Sequence, residues 1–204
     1  MAEPRRRIVL ASQSAARRAM LDQAGIDFLA RPASIDETAL KRGLLAGRRP
    51  VGPAELSTAL AEAKALSVSR DMPEAVVVGS DQVLAIGGQL YDKPSSIAEA
   101  RAQLQSLRGR VHELHASVAM AVDGTVVWRS SDVARLRMRP FSDVFLERYL
   151  SAVGGDVCST VGAYKLEGLG VQLFDRIEGD YFTVLGMPLM PLLAALRDRG
   201  VLEN

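Results

Sequence analysis

The fold of this chain is decided by the stretch Ile8-Val9-Leu10-Ala11-Ser12-Gln13-Ser14-Ala15-Ala16-Arg17-Arg18. The apolar run at residues 8–11 predicts a short buried strand. Ser12 and Ser14 belong to the residue types that cap helix N-termini, and residues 15–24 predict a helix that ends at Gly25. The stretch therefore predicts a strand, a serine-bearing turn and a helix, in that order.

The start of that helix carries groups that bind phosphate. Unpaired backbone N–H groups and a partial positive charge attract anions to a helix N-terminus. Arg17 and Arg18 lie one turn inside the helix, and a guanidinium can bind phosphate through two N–H groups. Ser12 and Ser14 add hydroxyl donors. The residues alone also fit an ordinary serine-capped helix whose arginines face solvent.

Strand and helix patterns alternate along the rest of the chain, which favours an α/β fold. Further strands are predicted over residues 26–33, 74–86, 112–122, 126–138 and 171–177. Further helices are predicted over residues 53–70, 96–107, 142–150 and 188–199. Gly87-Gly88 and Asp123-Gly124 are dipeptides that favour tight hairpins. Residues 42–53, rich in Gly and Pro, are predicted to form a loop.

Composition limits the possible functions. A chain of 204 residues fits one domain, or one domain with two lobes, and 48% of its residues are hydrophobic. Twenty-five basic residues against 24 acidic ones argue against a protein that coats nucleic acid or an anionic membrane. One cysteine, Cys158, and two histidines argue against an internal disulfide and a structural zinc site. The basic N-terminus precedes too short an apolar run for a signal peptide, so we expect a cytoplasmic protein.

A second polar cluster interrupts the strand predicted over residues 74–86. Gly79-Ser80-Asp81-Gln82 places a carboxylate inside an apolar run, where burial is costly unless the group is hydrogen-bonded, binds a metal or faces a cleft. The glycine is expected to let a ligand approach the backbone. A hairpin at Gly87-Gly88 would return Lys93 towards Asp81 and place a cation beside an anion, as phosphoryl chemistry often uses. An aspartate satisfied by N–H groups at a bulge also fits.

The third cluster combines the acidic pair Asp36-Glu37 with Lys64. Neighbouring residues of an extended segment point to opposite sides, so one carboxylate of the pair is expected to face a site. Lys64 falls within the helix predicted over residues 53–70. Taken alone, these residues also fit a solvated loop and a surface lysine.

Together these motifs resemble those of the Maf family, whose opening motif is written L-A-S-x-S-P-x-R. The resemblance covers nearly the whole chain in the same order, through residues 10–18, 36–37, 60–65, 79–83, 93–94, 107–112, 162–168 and 179–189. It implies a mixed, twisted sheet flanked by helices around a central cleft, similar to the inosine-triphosphate pyrophosphatases. It also implies one domain over residues 1–204, with two lobes around the cleft, and a homodimer.

The activity that the resemblance implies is hydrolysis of a nucleoside triphosphate to a monophosphate and pyrophosphate with a divalent cation, Mg²⁺ or Mn²⁺. The family is also linked to inhibition of septum formation, so a nucleotide-binding regulator of cell division is an alternative. Carried over to this chain, the resemblance gives each site residue a role. The proton acceptor is Asp81, the phosphate ligands are Arg17 and Lys93, and the supporting groups are Ser12 and Lys64. Glu37 holds the metal together with Asp81, or orients the attacking water.

Substrate preference rests on three further positions. Gln82 follows the catalytic aspartate and Glu167 ends the later Gly-Ala-Tyr motif, which is more similar to the 7-methyl-GTP branch of the family than to its dTTP/UTP branch. A carboxylate accepts hydrogen bonds from the N1–H and 2-amino edge of guanine and complements a positively charged methylated ring. Two departures stand out: Ala15 replaces the usual proline, and Ala16 occupies a specificity position that often carries Trp or Arg. A dTTP/UTP or broad-range enzyme is the alternative.

Overall fold

The computed structural model of this chain describes residues 6–47 and 51–203. Most of the basic N-terminal stretch and residues 48–50 of the predicted loop lie outside the described residues. No helix within the two described ranges is both long and apolar enough to cross a membrane.

A mixed sheet of seven strands forms the centre of the molecule. The strands are β1 (Ile8–Leu10), β2 (Phe28–Ala30), β3 (Val76–Ile86), β4 (Gln89–Tyr91), β5 (Val111–Val122), β6 (Thr125–Met138) and β7 (Phe174–Glu178). Their order is β2-β1-β3-β5-β6-β7, with β4 paired to the far end of β3. The pairs of β1 with β2 and β3 are parallel, and the other pairs are antiparallel. The predicted α/β class with a mixed sheet is confirmed.

Helices cover both faces of this sheet. They are α1 (Ala15–Gln23), α2 (Glu37–Leu45), α3 (Pro53–Ser69), α4 (Ile97–Leu107), α5 (Asp143–Val153), α6 (Tyr181–Val184) and α7 (Leu189–Asp198). One face packs against α3, while the opposite face carries two separate apolar cores. The first core joins α1 and α7 to the beginning of β3, and the second joins α4 and α5 to its end.

Ser80 and Gln82 lie on β3 between those two cores. Both side chains reach the segment that contains α6, where Ser80 Oγ donates to the Gly186 carbonyl at 2.9 Å and Gln82 Nε2 donates to the Thr183 carbonyl at 2.9 Å. Asp81 alternates to the face covered by α3. The strand therefore divides its polar residues between two faces at the point where the cores separate.

Two predictions about this region are wrong. The strand runs without interruption from Val76 to Ile86, so Gly79 neither breaks it nor serves a ligand. A Cβ on Gly79 would lie 2.2 Å from the Ala61 carbonyl oxygen and 2.6 Å from the Ala65 nitrogen, both in α3. The glycine therefore allows a helix, and not a substrate, to approach the strand.

Two other boundaries also differ from prediction. Residues 37–45 form helix α2, whereas the sequence predicted an extended acidic pair and a loop from residue 42. Asp36 caps this helix, because its side chain accepts a hydrogen bond from the Ala39 N–H at 2.9 Å. At the other end of the chain, residues 169–173 form a 3₁₀ helix, and only Phe174–Glu178 are strand.

Candidate active site

One large cavity, of about 620 Å³, opens beside the end of β1 and the middle of β3. It brings together every predicted site residue except Glu167. Its lining includes Ser12, Ala16, Arg17, Glu37, Lys64, Asp81, Gln82 and Lys93. Residues that are far apart in the sequence thus meet in one place.

The opening turn forms one wall of this cavity. Ser12 is buried, and its Oγ accepts a hydrogen bond from the Ser14 N–H at 3.1 Å, so the hydroxyl proton stays available to a ligand. The side chain of Ser14 caps α1 by accepting a bond from the Arg17 N–H at 3.4 Å. The predicted strand, serine turn and helix start are confirmed, and Arg18 is exposed outside the cavity lining.

The Arg17 side chain is held by a residue 169 positions away. Its Nε donates to the Gly186 carbonyl at 2.9 Å, which also accepts a bond from the buried Ser80 hydroxyl. This anchor uses one of the five N–H groups of the guanidinium and leaves its outer edge for a bidentate ligand. Burial lowers the pKa of Arg17, and the carboxylates of Asp81 and Glu37 oppose that effect.

Lys64 links the two predicted metal ligands. Its Nζ lies 2.7 Å from Asp81 Oδ1 and 3.0 Å from Glu37 Oε2. The side chains of Lys64 and Asp81 are each 10% exposed, whereas that of Glu37 is 53% exposed. Burial raises the pKa of Asp81, and the positive charges of Lys64 and Arg17 partly offset this. Two carboxylates therefore converge on one cationic position.

Lys93 approaches this group from the hairpin that follows β3. Removal of water by the cavity wall, and then the like charges of Arg17 and Lys64, lower the pKa of Lys93. Its ammonium makes no hydrogen bond or ion pair with another residue in the described ranges. The expected approach of Lys93 to Asp81 is present, since both line the same cavity.

Asp81 and Glu37 supply the type of ligand, a carboxylate, that a divalent metal ion would share with substrate phosphates. The described residues contain no group of three or more Asp, Glu, His or Cys side chains placed to hold a metal. Mg²⁺ is commonly bound by one or two carboxylates together with substrate phosphates. The convergence of Asp81 and Glu37 on Lys64 shows that this pair of carboxylates already accommodates a cation.

Glu167 lies at a smaller recess that adjoins the large cavity. The recess has a volume of about 40 Å³ and contains Ala16, Gln82 and Glu167 in its lining. Both N–H groups of the Gln82 amide are used, because Nε2 donates to the carbonyls of Thr183 and Val184 at 2.9 and 3.0 Å. Gln82 can therefore offer only its oxygen to a ligand. The three predicted specificity residues meet here.

Sequence reasoning missed two residues that shape this site, Lys41 in the cavity lining and Gly186 behind Arg17. Lys41 lines it from α2, one helical turn beyond Glu37, and forms an ion pair with Asp92. The i, i+4 spacing of Glu37 and Lys41 could have indicated a shared face, had the helix been predicted. Gly186 gave no local signal, because its contact with Arg17 joins distant parts of the chain.

Comparison with known proteins finds relatives that match nearly the whole chain. At 47% identity over 196 residues, the chain is similar to a 7-methyl-GTP pyrophosphatase of Rhizobium meliloti, covering 96% of this chain and 98% of the relative. A nucleoside triphosphate pyrophosphatase of Caulobacter vibrioides is 50% identical over 195 residues, with 96% of each chain covered.

A solved HAM1 protein of Coxiella burnetii has a TM-score of 0.41 and 15% identity, over 67% of this chain and 74% of that one, a likeness too low to support any functional conclusion. The model of the Maf-like protein family matches residues 7–199, which is most of the chain. The chain therefore belongs to the Maf-like protein family.

Proposed function

We propose that this chain hydrolyses nucleoside triphosphates between the α- and β-phosphates, with 7-methyl-GTP or a related modified nucleotide as its preferred substrate. One observation carries the proposal: three cations from three different elements surround one buried carboxylate. Arg17, Lys64 and Lys93 lie in the same cavity as Asp81, and Lys93 makes no direct ion pair with any described residue, although the charges of Glu37 and Asp81 act on it. Such a surplus of positive charge suits a polyphosphate.

The residues divide the work of hydrolysis between them. Asp81 accepts a proton from water as the water attacks phosphorus, and the bond from phosphorus to the leaving pyrophosphate oxygen breaks. Burial raises the pKa of Asp81 towards the working pH, which makes it a stronger base than a solvated carboxylate. Arg17 and Lys93 neutralise the phosphate charge, because phosphoryl transfer depends mainly on positioning and electrostatic stabilisation. Ser12 contributes a hydroxyl donor.

Asp81 and Glu37 would hold a divalent cation together with the substrate phosphates. A bound Mg²⁺ or Mn²⁺ supplies further neutralisation of the phosphate oxygens. Lys64 bonds both carboxylates, and it keeps their charges balanced in the absence of nucleotide.

The hydrogen-bonding pattern of the recess supports the preference for a methylated guanine. Gln82 offers an oxygen only, and Glu167 is also an acceptor, so the recess presents two acceptors to a base. The N1–H and 2-amino groups of guanine are donors, and its 7-methyl form is positively charged. A thymine or uracil edge offers one donor, N3–H, between two carbonyl oxygens, so it can satisfy only one of these two acceptors. Ala16 leaves space at the same place.

A nucleotide panel tests the proposal. Purified protein is assayed for pyrophosphate release from 7-methyl-GTP, GTP, dTTP, UTP and dITP, with Mg²⁺, with Mn²⁺ and with chelator. We expect the highest kcat/KM with 7-methyl-GTP and no turnover with chelator. Faster hydrolysis of dTTP would overturn the substrate assignment in favour of the alternative dTTP/UTP enzyme. Release of orthophosphate instead of pyrophosphate would overturn the cleavage position.

Asp81→Asn tests the catalytic assignment. The amide keeps the size of the side chain but cannot accept the proton from water, so we expect at least a ~10³-fold loss of kcat, within the range typical of acid–base groups. Circular dichroism confirms that the variant is folded. Hydrolysis at the wild-type rate would remove Asp81 from the mechanism. A cellular division phenotype that persists in this variant would favour the regulatory alternative.

We also propose that the chain acts as one two-lobed domain, as a homodimer and in the cytoplasm. The two apolar cores beside the cavity support the two lobes, and the resemblance to the family supports the homodimer. Analytical ultracentrifugation, in which the proposal predicts twice the 21.9 kDa mass, tests the homodimer.

A further inference from the structure

Lys41 is a cation of the large cavity that the proposed mechanism does not use. It lies on α2, four residues after Glu37, so the two side chains share one face of the helix. Glu37 reaches Lys64 at the cavity floor, and Lys41 reaches Asp92, the residue that precedes Lys93. The face of α2 that lines the cavity therefore places the Lys41 cation about 6 Å, slightly more than one helical turn, beyond Glu37 along the helix.

The two side chains of the ion pair between Lys41 and Asp92 differ in their exposure to solvent. The Lys41 side chain is 20% exposed within the cavity wall, whereas the Asp92 side chain is 77% exposed to solvent. Ion pairs with an exposed partner contribute little to stability. A polyphosphate carries more charge than one carboxylate, so it can displace Asp92 from Lys41 at little cost.

The position of Lys41 relative to the recess indicates which part of a nucleotide it meets. The recess that contains Ala16, Gln82 and Glu167 adjoins one side of the cavity, and neither Lys41 nor Asp92 is in its lining. Both line the large cavity with the phosphate-binding cations. A nucleotide with its base at the recess and its phosphates near Arg17 would extend its terminal phosphates towards α2.

We propose that Lys41 is a ligand of the pyrophosphate portion of the substrate, and that it exchanges Asp92 for the terminal phosphates when a nucleotide enters. This inference rests on the proposed function for its orientation of the nucleotide. It adds a phosphate subsite formed by α2 and the segment after β4. Asp92 is the positioning residue of this subsite, since it holds the lysine side chain across the cavity mouth until phosphate replaces it.

Calorimetric titration with inorganic pyrophosphate and, separately, with GMP tests the subsite without depending on turnover. For Lys41→Met we expect the Kd of pyrophosphate with Mg²⁺ to rise about tenfold, because one charge-assisted contact is lost. The Kd of GMP is expected to change less than twofold. Lys41→Arg is expected to restore pyrophosphate binding, because a guanidinium also binds phosphate. Asp92→Asn releases the lysine from its partner and is expected to tighten pyrophosphate binding two- to threefold.

Arg42→Gln is the matched control. Arg42 is the neighbouring cation on α2, is exposed and is not among the described residues that line the cavity. Arg42→Gln removes the same net charge as Lys41→Met. The proposal therefore requires that Lys41→Met weaken pyrophosphate binding more than Arg42→Gln does. Equal weakening in Lys41→Met and Arg42→Gln, or equal loss of pyrophosphate and GMP, would overturn the subsite. Wild-type protein that binds pyrophosphate through Lys41 but hydrolyses no nucleotide would overturn the proposed function and leave the subsite standing.

Discussion

Arg17 and Arg18 are identical neighbours in sequence with different surroundings. Arg17 is half-buried, bonded to the Gly186 carbonyl and part of the cavity lining, whereas Arg18 is exposed. A fixed guanidinium loses less conformational entropy on binding phosphate than a free one. The anchor therefore gives the two residues different roles.

We predict that Arg17→Gln lowers kcat/KM for the preferred nucleotide by about 100-fold or more, since two charge-assisted hydrogen bonds to phosphate are worth about 3 kcal/mol. Arg18→Gln removes the same charge one position later and is expected to stay within twofold of wild type. Steady-state kinetics at fixed ionic strength make the comparison. Comparable losses in the two variants would mean that net charge, and not the anchored contact, governs activity.

Individual site residues could be predicted from the sequence where a charged residue type stands in a position that few structural roles explain. A carboxylate inside an apolar strand, as at Asp81, and an arginine after a serine cap, as at Arg17, both indicate a site because burial of charge is costly. Lys41 was missed, because a lysine on a surface helix is commonplace. Gly186 was missed because its role depends on a backbone carbonyl, a group that every residue possesses.

At the scale of elements, the contact of α3 with β3 is the packing on which the site depends. The helix carries Lys64 and the strand carries Asp81, and Gly79 sets the distance between them. A Cβ at this position would meet backbone atoms of α3, which cannot turn aside as a side chain can. The 2.7 Å bond between Lys64 and Asp81 thus requires a glycine two residues before the aspartate.

We predict that Gly79→Ala lowers the free energy of unfolding by about 3 kcal/mol or more, the upper range for overpacking a core. Gly43→Ala is the control, because Gly43 lies within α2 and an added Cβ would meet nothing within 4 Å. That change is expected to be neutral or to stabilise by up to about 1 kcal/mol. Urea denaturation measures both. A Gly79→Ala protein as stable as wild type would show that α3 can shift away.

Element predictions failed where tertiary contacts decide the structure. Helix α2 is short and has no fully buried residue; its apolar signal is limited to Leu40 and Leu44, which pack against α3, and Gly43 with the Gly- and Pro-rich stretch after it favours a loop. Strand β3 continues through Gly79-Ser80-Asp81 because β5 pairs with it along its length. The longer apolar strands and the two glycine hairpins were predicted correctly, since their signals are local.

At the scale of the whole molecule, one buried histidine links stability to pH. His112 is 1% exposed, and its Nε2 lies 2.7 Å from the hydroxyl of Tyr164, a residue of the recess lining. Burial lowers the pKa of His112 from 6.5 to about 4. Below pH 6.5 the unfolded chain therefore takes up a proton that the folded chain does not.

Stability that is fully present at pH 7 should accordingly fall as the pH drops towards 4. We predict that His112 accounts for about 3 kcal/mol of this loss between pH 7 and pH 4, since each pKa unit corresponds to 1.36 kcal/mol. His112→Gln, which keeps a hydrogen-bonding group for Tyr164, should show a correspondingly smaller slope. Urea unfolding at several pH values gives both slopes. Parallel slopes would exclude His112 as the source.

The anchor of Arg17 has a consequence for protein synthesis. Arg17 and Lys93 belong to the first half of the chain, but the carbonyl that orients the arginine belongs to Gly186. At ribosomal rates of about 5–20 residues per second, Gly186 is made roughly 5–20 s after Lys93. A nascent chain therefore contains Arg17 and Lys93 well before it contains the Gly186 carbonyl that orients Arg17. The site is complete only near the end of translation.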